Sequence, residues 1–253
     1  MRRVALFTRP PEAGRVKTRL APALTPALTL ELYRAMLMDA LEAGTGVAAE
    51  RLVWWASAPE RGLDPGLQAI LERGTWRERL QVGGDLGARL AHAFADPPAA
   101  PGDRTVIMGA DCPELDGAAL EAALGELERS DAVLGPTTDG GYYLVGLRRP
   151  SPELFRDIAW GEGDVLNQTL ERAERAGFSV TLLGKLDDVD RPEDLVGCVA
   201  RELGREVRGP RGAGASAARD TETAVGRARA GPLASPRLGA HTRSALRGFG
   251  LLP

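Results

Sequence analysis

The chain has 253 residues, of which 43% are hydrophobic and 26% are charged, with a formal net charge of -3. This length and hydrophobic content are enough for one large domain with a substantial core. The slightly acidic balance and the aromatic content of only 5% argue against a nucleic-acid partner. The two cysteines, Cys112 and Cys198, lie too far apart in sequence for zinc-site spacing and are too few for a disulfide framework.

Membrane and secretion signals are absent from the pattern of hydrophobic residues. No stretch approaches the roughly 18 apolar residues of a membrane span. The first apolar run, Val4–Thr8, is also much shorter than the apolar core of a secretory signal. We therefore expect a cytoplasmic protein that does not bind membranes.

Strand-like and helix-like segments alternate from residue 1 to about residue 204. Predicted strands are Val4–Thr8, Arg51–Ala56, Arg79–Val82, Thr105–Gly109, Ala132–Gly135, Tyr142–Leu147 and Phe178–Leu183. Predicted helices are Pro26–Glu42, Leu67–Arg73, Leu86–Phe94, Gly117–Arg129, Val165–Ala176 and Pro192–Leu203. Short apolar strands joined by helices predict a mainly parallel sheet covered on both faces, which is an α/β three-layer sandwich.

The composition changes after Gly204. Residues 205–253 are rich in Gly, Ala, Arg and Pro and contain nine arginines against three acidic residues. Such a segment buries little apolar surface, so we predict a disordered basic tail that follows a single domain of residues 1–204. A basic arm that binds a polyanion is the alternative interpretation.

A cationic loop follows the first predicted strand. Gly14 gives the chain a flexible turn, and Arg9, Arg15, Lys17 and Arg19 surround it. Because ligands of open α/β sheets bind beyond the carboxyl ends of the strands, this loop is placed to meet a ligand. Arginine and lysine neutralise phosphate charge, so the loop is either a phosphate-binding element or an ordinary solvated loop.

Acidic residues follow two other predicted strands. Asp111 comes directly after the strand that ends in Gly109, and Asp187, Asp188 and Asp190 follow the last strand of the domain. Neighbouring carboxylates repel one another unless a cation or hydrogen-bond donors offset their charge. We therefore predict that Asp111, Asp190 and Asp188 hold a divalent metal, although Asp111 alone could equally cap a turn.

Two glycine-rich turns complete the candidate site. The turn Asp139-Gly140-Gly141 precedes Tyr142 and is either a simple hairpin or a loop that approaches an acceptor substrate. The turn at Gly84 precedes Asp85, which is a predicted helix cap, and Arg89 lies on the helix that follows. The amino end of that helix could receive an anion, or the helix could simply be capped.

These motifs occur together in one order along the chain. They read Pro11-Glu-Ala-Gly-Arg-Val-Lys-Thr-Arg-Leu-Ala-Pro22, Gly84-Asp-Leu-Gly-x-Arg89, Gly109-x-Asp-Cys-Pro-x-Leu115, Gly135-Pro-x-x-Asp-Gly-Gly-Tyr-Tyr-Leu-x-Gly-Leu147 and Asp188-Val-Asp-x-Pro-Glu-Asp-Leu195. Residues 1 to about 204 thereby resemble bacterial GT-A-type transferases of the nucleotide-diphospho-sugar transferase superfamily. Within that superfamily they resemble the radical-SAM/selenodomain-associated "transferase 1" glycosyltransferases.

The resemblance implies a Rossmann-like α/β/α sandwich that binds a nucleotide together with Mg²⁺ or Mn²⁺. It assigns the strand-end carboxylate to Asp111, the late acidic position to Asp190 and the loop lysine to Lys17. Family members often carry Trp-Ser-Thr before the penultimate helix, where this chain has Trp160-Gly161-Glu162. This difference predicts altered acceptor contacts, with Asp164 replacing the lost helix cap.

Two enzymatic functions fit these residues. The first is a metal-dependent glycosyltransferase that uses a nucleotide sugar, with Asp139 orienting or deprotonating the acceptor hydroxyl. The alternative is a nucleotidyltransferase that joins a nucleoside triphosphate to a phosphorylated small molecule and releases pyrophosphate, as 2-phospholactate guanylyltransferase and molybdenum-cofactor nucleotidyltransferases do. Lys17 and Asp111 are catalytic in both hypotheses, because both reactions require neutralisation of a phosphate leaving group. A non-catalytic nucleotide-binding protein is a third interpretation.

Overall fold

A computed structural model describes residues 1–60, 62–98, 100, 102–204, 228–231 and 237–253. Its strands are β1 (Arg2–Thr8), β2 (Glu50–Trp55), β3 (Arg77–Leu80), β4 (Arg104–Gly109), β5 (Ala132–Pro136), β6 (Tyr142–Leu147), β7 (Val180–Leu182) and β8 (Ala228–Ala230). They form one sheet in the order β3-β2-β1-β4-β6-β5-β7-β8. Strand β6 runs antiparallel to β4 and β5, and the other pairings of this sheet are parallel. The predicted mainly parallel sheet is confirmed.

The helices between the strands also agree with the sequence pattern. They are α1 (Pro26–Thr45), α2 (Pro65–Arg73), α3 (Leu86–Ala95), α4 (Gly117–Glu126), α5 (Val165–Arg175), α6 (Pro192–Glu202) and α7 (Ala240–Gly248). Short 3₁₀ turns lie at Thr18–Leu20 and Pro152–Phe155. Among the residues described, no helix combines the length and the apolar character that a membrane crossing requires.

Local capping explains where several helices begin. The Asp85 side chain accepts the backbone N–H of Ala88 at 2.7 Å, and Asp116 accepts that of Ala119 at 2.9 Å. The predicted cap Asp85 is therefore confirmed, and Asp116 caps α4 in the same way, since each carboxylate satisfies an amide that the first helical turn leaves free. The predicted cap Asp164 is wrong, because its Oδ1 accepts from the Asn167 side chain instead of from a helix amide.

The core lies on both faces of the sheet. Along β1, Val4 and Leu6 face a cluster that includes residues of α1, α2 and α4, whereas Ala5 faces a cluster that includes residues of α3 and α5. This alternation is what a strand with helices on both faces requires. The three-layer α/β/α sandwich, which the sequence predicts, is thus confirmed.

The prediction of a disordered tail is wrong for the described part of residues 205–253. Strand β8 pairs with β7, and α7 packs on α1. Leu238, Leu246 and Leu252 are buried in a third apolar cluster together with residues from α1 and α6. The segment is ordered because it buries its few leucines against the body of the protein. The remaining residues of the predicted tail, 205–227 and 232–236, lie outside the described residues.

The topology brings the candidate motifs to one edge of the sheet. The carboxyl ends of β1, β3, β4, β5 and β7 lie at this edge, together with the amino end of the antiparallel β6. The loops that follow or precede these ends contain the cationic loop, Asp111, the Asp139 turn and the late acidic residues. The fold therefore places every predicted motif near this carboxyl edge.

Candidate active site

Two cavities open along the carboxyl edge of the sheet. The first has a volume of about 500 Å³ and the second about 620 Å³. Arg19, Leu86 and Asp190 line both, so the cavities adjoin one another. The first lies beyond β1 and β4, and the second lies between the Asp139 turn, the loop before α5 and the start of α6. Together they form a site with room for two ligands.

The Lys17 side chain is the centre of the first cavity. Its ammonium lies 2.6 Å from Oδ1 of Asp111 and 2.5 Å from Oδ1 of Asp190, and the side chain is only 4% exposed. Burial by itself lowers the pKa of Lys17, but the two carboxylates outweigh it and raise the pKa well above its usual value. Lys17 is therefore a fixed positive charge that joins the loop after β1 to the two acidic segments.

The conformation of the cationic loop explains how Lys17 reaches this place. Gly14 has a φ of 74° and Lys17 a φ of 47°, so the chain turns through the left-handed region twice. The apolar side chains of Val16 and Leu20, on either side of Lys17, are buried in the core and anchor the loop. Because the backbone strain at a non-glycine residue persists only when its surroundings hold it, the Lys17 position is specified by the fold.

Arginines surround Lys17 in the first cavity, whose cationic lining residues are Arg9, Arg15, Lys17, Arg19 and Arg89. Arg15 also pairs with Glu12 at 2.8 Å and with Glu60 at 2.6 Å, and these ion pairs connect the cationic loop to the segment after β2. Gly14, Gly84 and Asp85, predicted to bind phosphate, do not line either of these two cavities. Their observed roles are to turn the chain and to cap α3, and phosphate binding by them stays a prediction.

Tyr33 of α1 lines the first cavity, although no motif in the sequence points to it. Its hydroxyl lies 2.8 Å from the Thr8 hydroxyl and hydrogen bonds with both the backbone N–H and the carbonyl of Arg9. Burial raises the pKa of Tyr33, so the phenol stays protonated. The tyrosine fixes the backbone where β1 passes into the cationic loop. Gln81, another lining residue, similarly donates its side-chain amide to the Trp54 carbonyl at 2.9 Å.

The Asp139 turn forms one wall of the second cavity. Asp139 accepts hydrogen bonds at Oδ1 from the Thr137 hydroxyl at 2.5 Å and from the Gly141 amide at 3.0 Å. Gly140 has a φ of 89°, and a Cβ there would lie 1.9 Å from the Gly163 carbonyl oxygen. The turn therefore packs against the loop before α5 through Gly140. One carboxylate oxygen of Asp139 is occupied by hydrogen bonds that stabilise the turn. A catalytic role of Asp139 stays a prediction.

Tyr142 lines the second cavity with its ring only. The ring packs edge-on to Trp160, with 6.4 Å between their centroids, and the tyrosine hydroxyl is buried beside Thr169. Burial raises the pKa of Tyr142 above its usual value. Gly141 also lines this cavity, as do Trp160, Gly161 and Glu162. The segment that departs from the Trp-Ser-Thr pattern is thus part of the cavity wall.

The late acidic residues have different surroundings. Asp187 accepts from the Thr138 hydroxyl at 2.7 Å and pairs with Arg201 at 2.6 Å, so it ties the turn after β5 to α6. Asp188 lines the second cavity, where burial and the negative charges of Asp139 and Asp190 raise its pKa to about 6. The second cavity therefore contains concentrated negative charge that the described side chains only partly offset.

The predicted metal ligands Asp111, Asp188 and Asp190 come from two loops at this edge of the sheet. Within the described ranges, no three His, Cys, Asp or Glu side chains lie close enough together to hold a metal ion by themselves. Magnesium, however, is commonly bound by one or two carboxylates together with substrate phosphates. Asp111 and Asp190 share the Lys17 ammonium, and Asp188 adds a third hard oxygen donor nearby. A Mg²⁺ or Mn²⁺ site formed by these carboxylates together with the phosphates of a ligand stays a prediction.

Known proteins resemble the chain over most of its length. It is 32% identical over 195 residues to the 3-phospho-D-glycerate guanylyltransferase of Phenylobacterium zucineum, covering 76% of this chain and 87% of that protein. It is 33% identical over 209 residues to the 2-phospho-L-lactate guanylyltransferase of Methanothermobacter thermautotrophicus, covering 76% and 85%. Residues 40–162 match a family model described as "Uncharacterized protein conserved in bacteria (DUF2064)".

A solved structure agrees with the fold as well. The protein, from Desulfovibrio desulfuricans G20, bears a name that proposes a nucleotide-diphospho-sugar transferase. Its structure superposes with a TM-score of 0.71 at 28% identity, covering 99% of this chain and 96% of that one. The fold is therefore that of the nucleotide-diphospho-sugar transferases, and the protein is an enzyme of the transferase class. The identity and coverage of the two curated relatives show that the chain belongs to the same family as these guanylyltransferases.

Proposed function

We propose that the protein is a nucleotidyltransferase that transfers a nucleoside monophosphate from a nucleoside triphosphate to a phosphorylated small carboxylic acid. The observation that supports it most is the buried Lys17 ammonium, held between Asp111 and Asp190 in a cavity that four arginines also line. A triphosphate carries more negative charge than a diphosphate, and this cavity concentrates the positive charge that offsets it.

For this reaction the protein has to position the two substrates and stabilise the negative charge of the leaving group. A phosphate oxygen of the acceptor attacks the α-phosphorus of the nucleotide, and the bond from that phosphorus to the β-phosphate oxygen breaks. Pyrophosphate leaves with the electron pair, and the product contains a new P–O–P linkage. Lys17, Arg15 and Arg19 stabilise the charge that accumulates on the leaving pyrophosphate, because fixed donors act without reorganisation during the reaction.

The acceptor occupies the second cavity in this proposal. Arg19 and Arg191 line it and can bind the phosphate and carboxylate groups of such an acid. The acceptor phosphate is already ionised near neutral pH, so no side chain has to deprotonate it. The two relatives are named for phosphoglycerate and phospholactate, each of which contains one phosphate and one carboxylate.

Asp111, Asp188 and Asp190 would hold the divalent metal. The bound ion supplies charge neutralisation to the phosphates, which the acidic lining of the second cavity would otherwise repel. Without a cation, Asp188 and Asp190 would weaken binding of any anionic acceptor. We expect the enzyme to depend on Mg²⁺ or Mn²⁺ for this reason.

Glycosyl transfer is the second candidate. It is supported by the likeness to the Desulfovibrio protein, whose name proposes nucleotide-diphospho-sugar transfer. The two named guanylyltransferases support nucleotidyl transfer more strongly. Membership in the "transferase 1" glycosyltransferases stays a prediction.

The leaving group separates the two reactions. The protein is incubated with Mg²⁺, each of the four nucleoside triphosphates and a panel of phosphorylated hydroxy acids, and the products are identified by mass spectrometry. We expect pyrophosphate and a nucleoside diphosphate-linked acid, with GTP as the preferred donor. A parallel panel of nucleotide sugars provides the contrast: release of a nucleoside diphosphate from a sugar donor, with no pyrophosphate in the first panel, contradicts the proposal.

A further inference from the structure

The C-terminal segment (residues 237–253) is bound to the body of the protein by a buried carboxylate. Asp39 lies within α1 and is only 7% exposed. Its Oδ1 accepts the backbone N–H of His241 at 2.9 Å, and its Oδ2 accepts that of Thr242 at 2.7 Å. Asp39 thus satisfies two amides at the amino end of α7, where a negative charge is favourable, although about 200 residues separate them.

The approach of α7 to α1 is close enough to require a glycine. Gly239 precedes α7, and a Cβ at this position would lie 2.1 Å from the Asp39 carboxyl carbon. No side chain of α7 caps its own first turn. The helix therefore depends on α1 for its cap, and the residue before it is small enough to let the carboxylate reach the helix amides.

The same segment shares a hydrogen bond or an apolar cluster with each of the three parts of the chain that supply the charged centre. The Gly239 amide donates to the Pro113 carbonyl at 2.9 Å, two residues after Asp111. Leu238, Leu246 and Leu252 are buried in one apolar cluster with Leu20 and Val189. Leu20 lies three residues after Lys17, and Val189 lies directly before Asp190.

Further bonds connect these parts to one another. The Val189 amide donates to the Asp111 carbonyl at 2.9 Å, so two of the three segments are joined directly. Arg243 of α7 pairs with Glu202 of α6 at 2.6 Å, and α6 begins two residues after Asp190. The C-terminal segment thus hydrogen bonds with the residues after β4 and shares an apolar cluster with residues of the cationic loop and the late acidic segment.

We propose that the C-terminal segment positions Lys17, Asp111 and Asp190 relative to one another, with Asp39 and Leu246 as positioning residues. The inference rests on the proposed function insofar as that function makes the three charged groups the working centre. The Lys17 ammonium must stay within hydrogen-bond distance of two carboxylates from separate loops, and loops by themselves hold such geometry less well than packed helices. Leu246, which is fully buried, supplies that packing from α7.

Amide hydrogen exchange of the full-length protein tests this role without any substrate. Leu246→Ala is compared with Leu147→Ala, a matched change of a buried leucine at the carboxyl end of the antiparallel β6, and so at the opposite edge of the sheet. We expect amides of residues 18–24 and 186–191 to exchange at least about tenfold faster in Leu246→Ala than in the wild type. Leu147→Ala should leave exchange in these two segments within about threefold.

Two further measurements make the test decisive. Asp39→Asn keeps the side-chain volume and weakens the cap of α7, so it should raise exchange in the same segments even where Leu246→Ala does not fold. Where the wild type releases pyrophosphate, kcat measured well below the unfolding midpoint should fall about tenfold in Leu246→Ala and less than threefold in Leu147→Ala. KM for the nucleotide should change less than kcat.

The outcomes separate the inference from the proposed function. Failure of the wild type to release pyrophosphate with any triphosphate contradicts the proposed function and leaves the exchange measurement to decide the role of the segment. Unchanged exchange in residues 18–24 and 186–191 of both Leu246→Ala and Asp39→Asn would overturn the positioning role. Equal effects of Leu246→Ala and Leu147→Ala on exchange or on kcat would overturn it as well.

Discussion

The two cavities adjoin at Asp190 but differ in charge and in construction. The first is lined by five cationic side chains against Asp111 and Asp190, and its loop is anchored by the buried Val16 and Leu20. The second is lined by five acidic side chains against two arginines, and its wall includes the ring of Tyr142. The difference in charge indicates that the two cavities bind different ligands. The first suits a polyphosphate, whereas the second can bind an anion only together with a cation.

The largest expected effect comes from removing the charge at the centre of the first cavity. Lys17→Ala should lower kcat for pyrophosphate release roughly 1,000-fold, because it deletes a fixed cation beside the leaving group and leaves Asp111 and Asp190 without their shared partner. Lys185→Ala, a change of an exposed lysine after β7, is the control and should retain wild-type activity. Comparable losses in both variants would contradict the assignment of Lys17.

Asp111→Asn tests whether ligand binding in the two cavities depends on a divalent metal. We expect roughly a 100-fold loss of kcat and a higher Mn²⁺ concentration for half-maximal rate, since the amide is a weaker ligand than the carboxylate. Removal of divalent ions with a chelator should abolish wild-type turnover, and Mg²⁺ should restore it. Activity that is indifferent to chelator, together with full activity of Asp111→Asn, would show that the carboxylate serves Lys17 alone.

The fold and the location of the candidate site were predictable because their signals are local. The alternation of strands and helices, together with caps such as Asp85 and Asp116, lies within short stretches of sequence. The strand β3 still lies two residues earlier than predicted, at Arg77–Leu80. All four of its residues are exposed, so an apolar pattern could not define its ends.

The contacts that complete the site were not predictable, because their partners are distant in sequence. The sequence places Lys17, Asp111 and Asp190 at strand ends, but only the folded chain shows that one ammonium meets both carboxylates. The same reason explains the wrong prediction for the tail. The Asp39 side chain caps the first turn of α7, and no sequence pattern near residue 240 indicates that a residue of α1 is the partner.

The arginines of the two cavities offer a matched comparison with a smaller expected effect. Arg89 lines only the first of the two cavities, and Arg191 only the second. Arg89→Ala should raise KM for the nucleotide about tenfold and leave KM for the acceptor unchanged, whereas Arg191→Ala should do the reverse. Steady-state kinetics with each substrate varied in turn measure both constants. Parallel changes in both constants for either variant would show that the cavities do not bind separate ligands.

The smallest effect is expected at Tyr142, and it separates the ring from the hydroxyl in the wall of the second cavity. The hydroxyl is buried beside Thr169, so Tyr142→Phe removes a buried polar group but no contact with an acceptor. We expect KM for the acceptor and kcat to stay within about threefold of the wild type, and thermal unfolding to occur at the same or a slightly higher temperature. Tyr142→Ala, which also removes the ring packed on Trp160, should raise KM for the acceptor more strongly. A large loss in Tyr142→Phe would mean that the hydroxyl turns toward the acceptor when the cavity is filled, and that the predicted acceptor-side role of Tyr142 includes its polar atom.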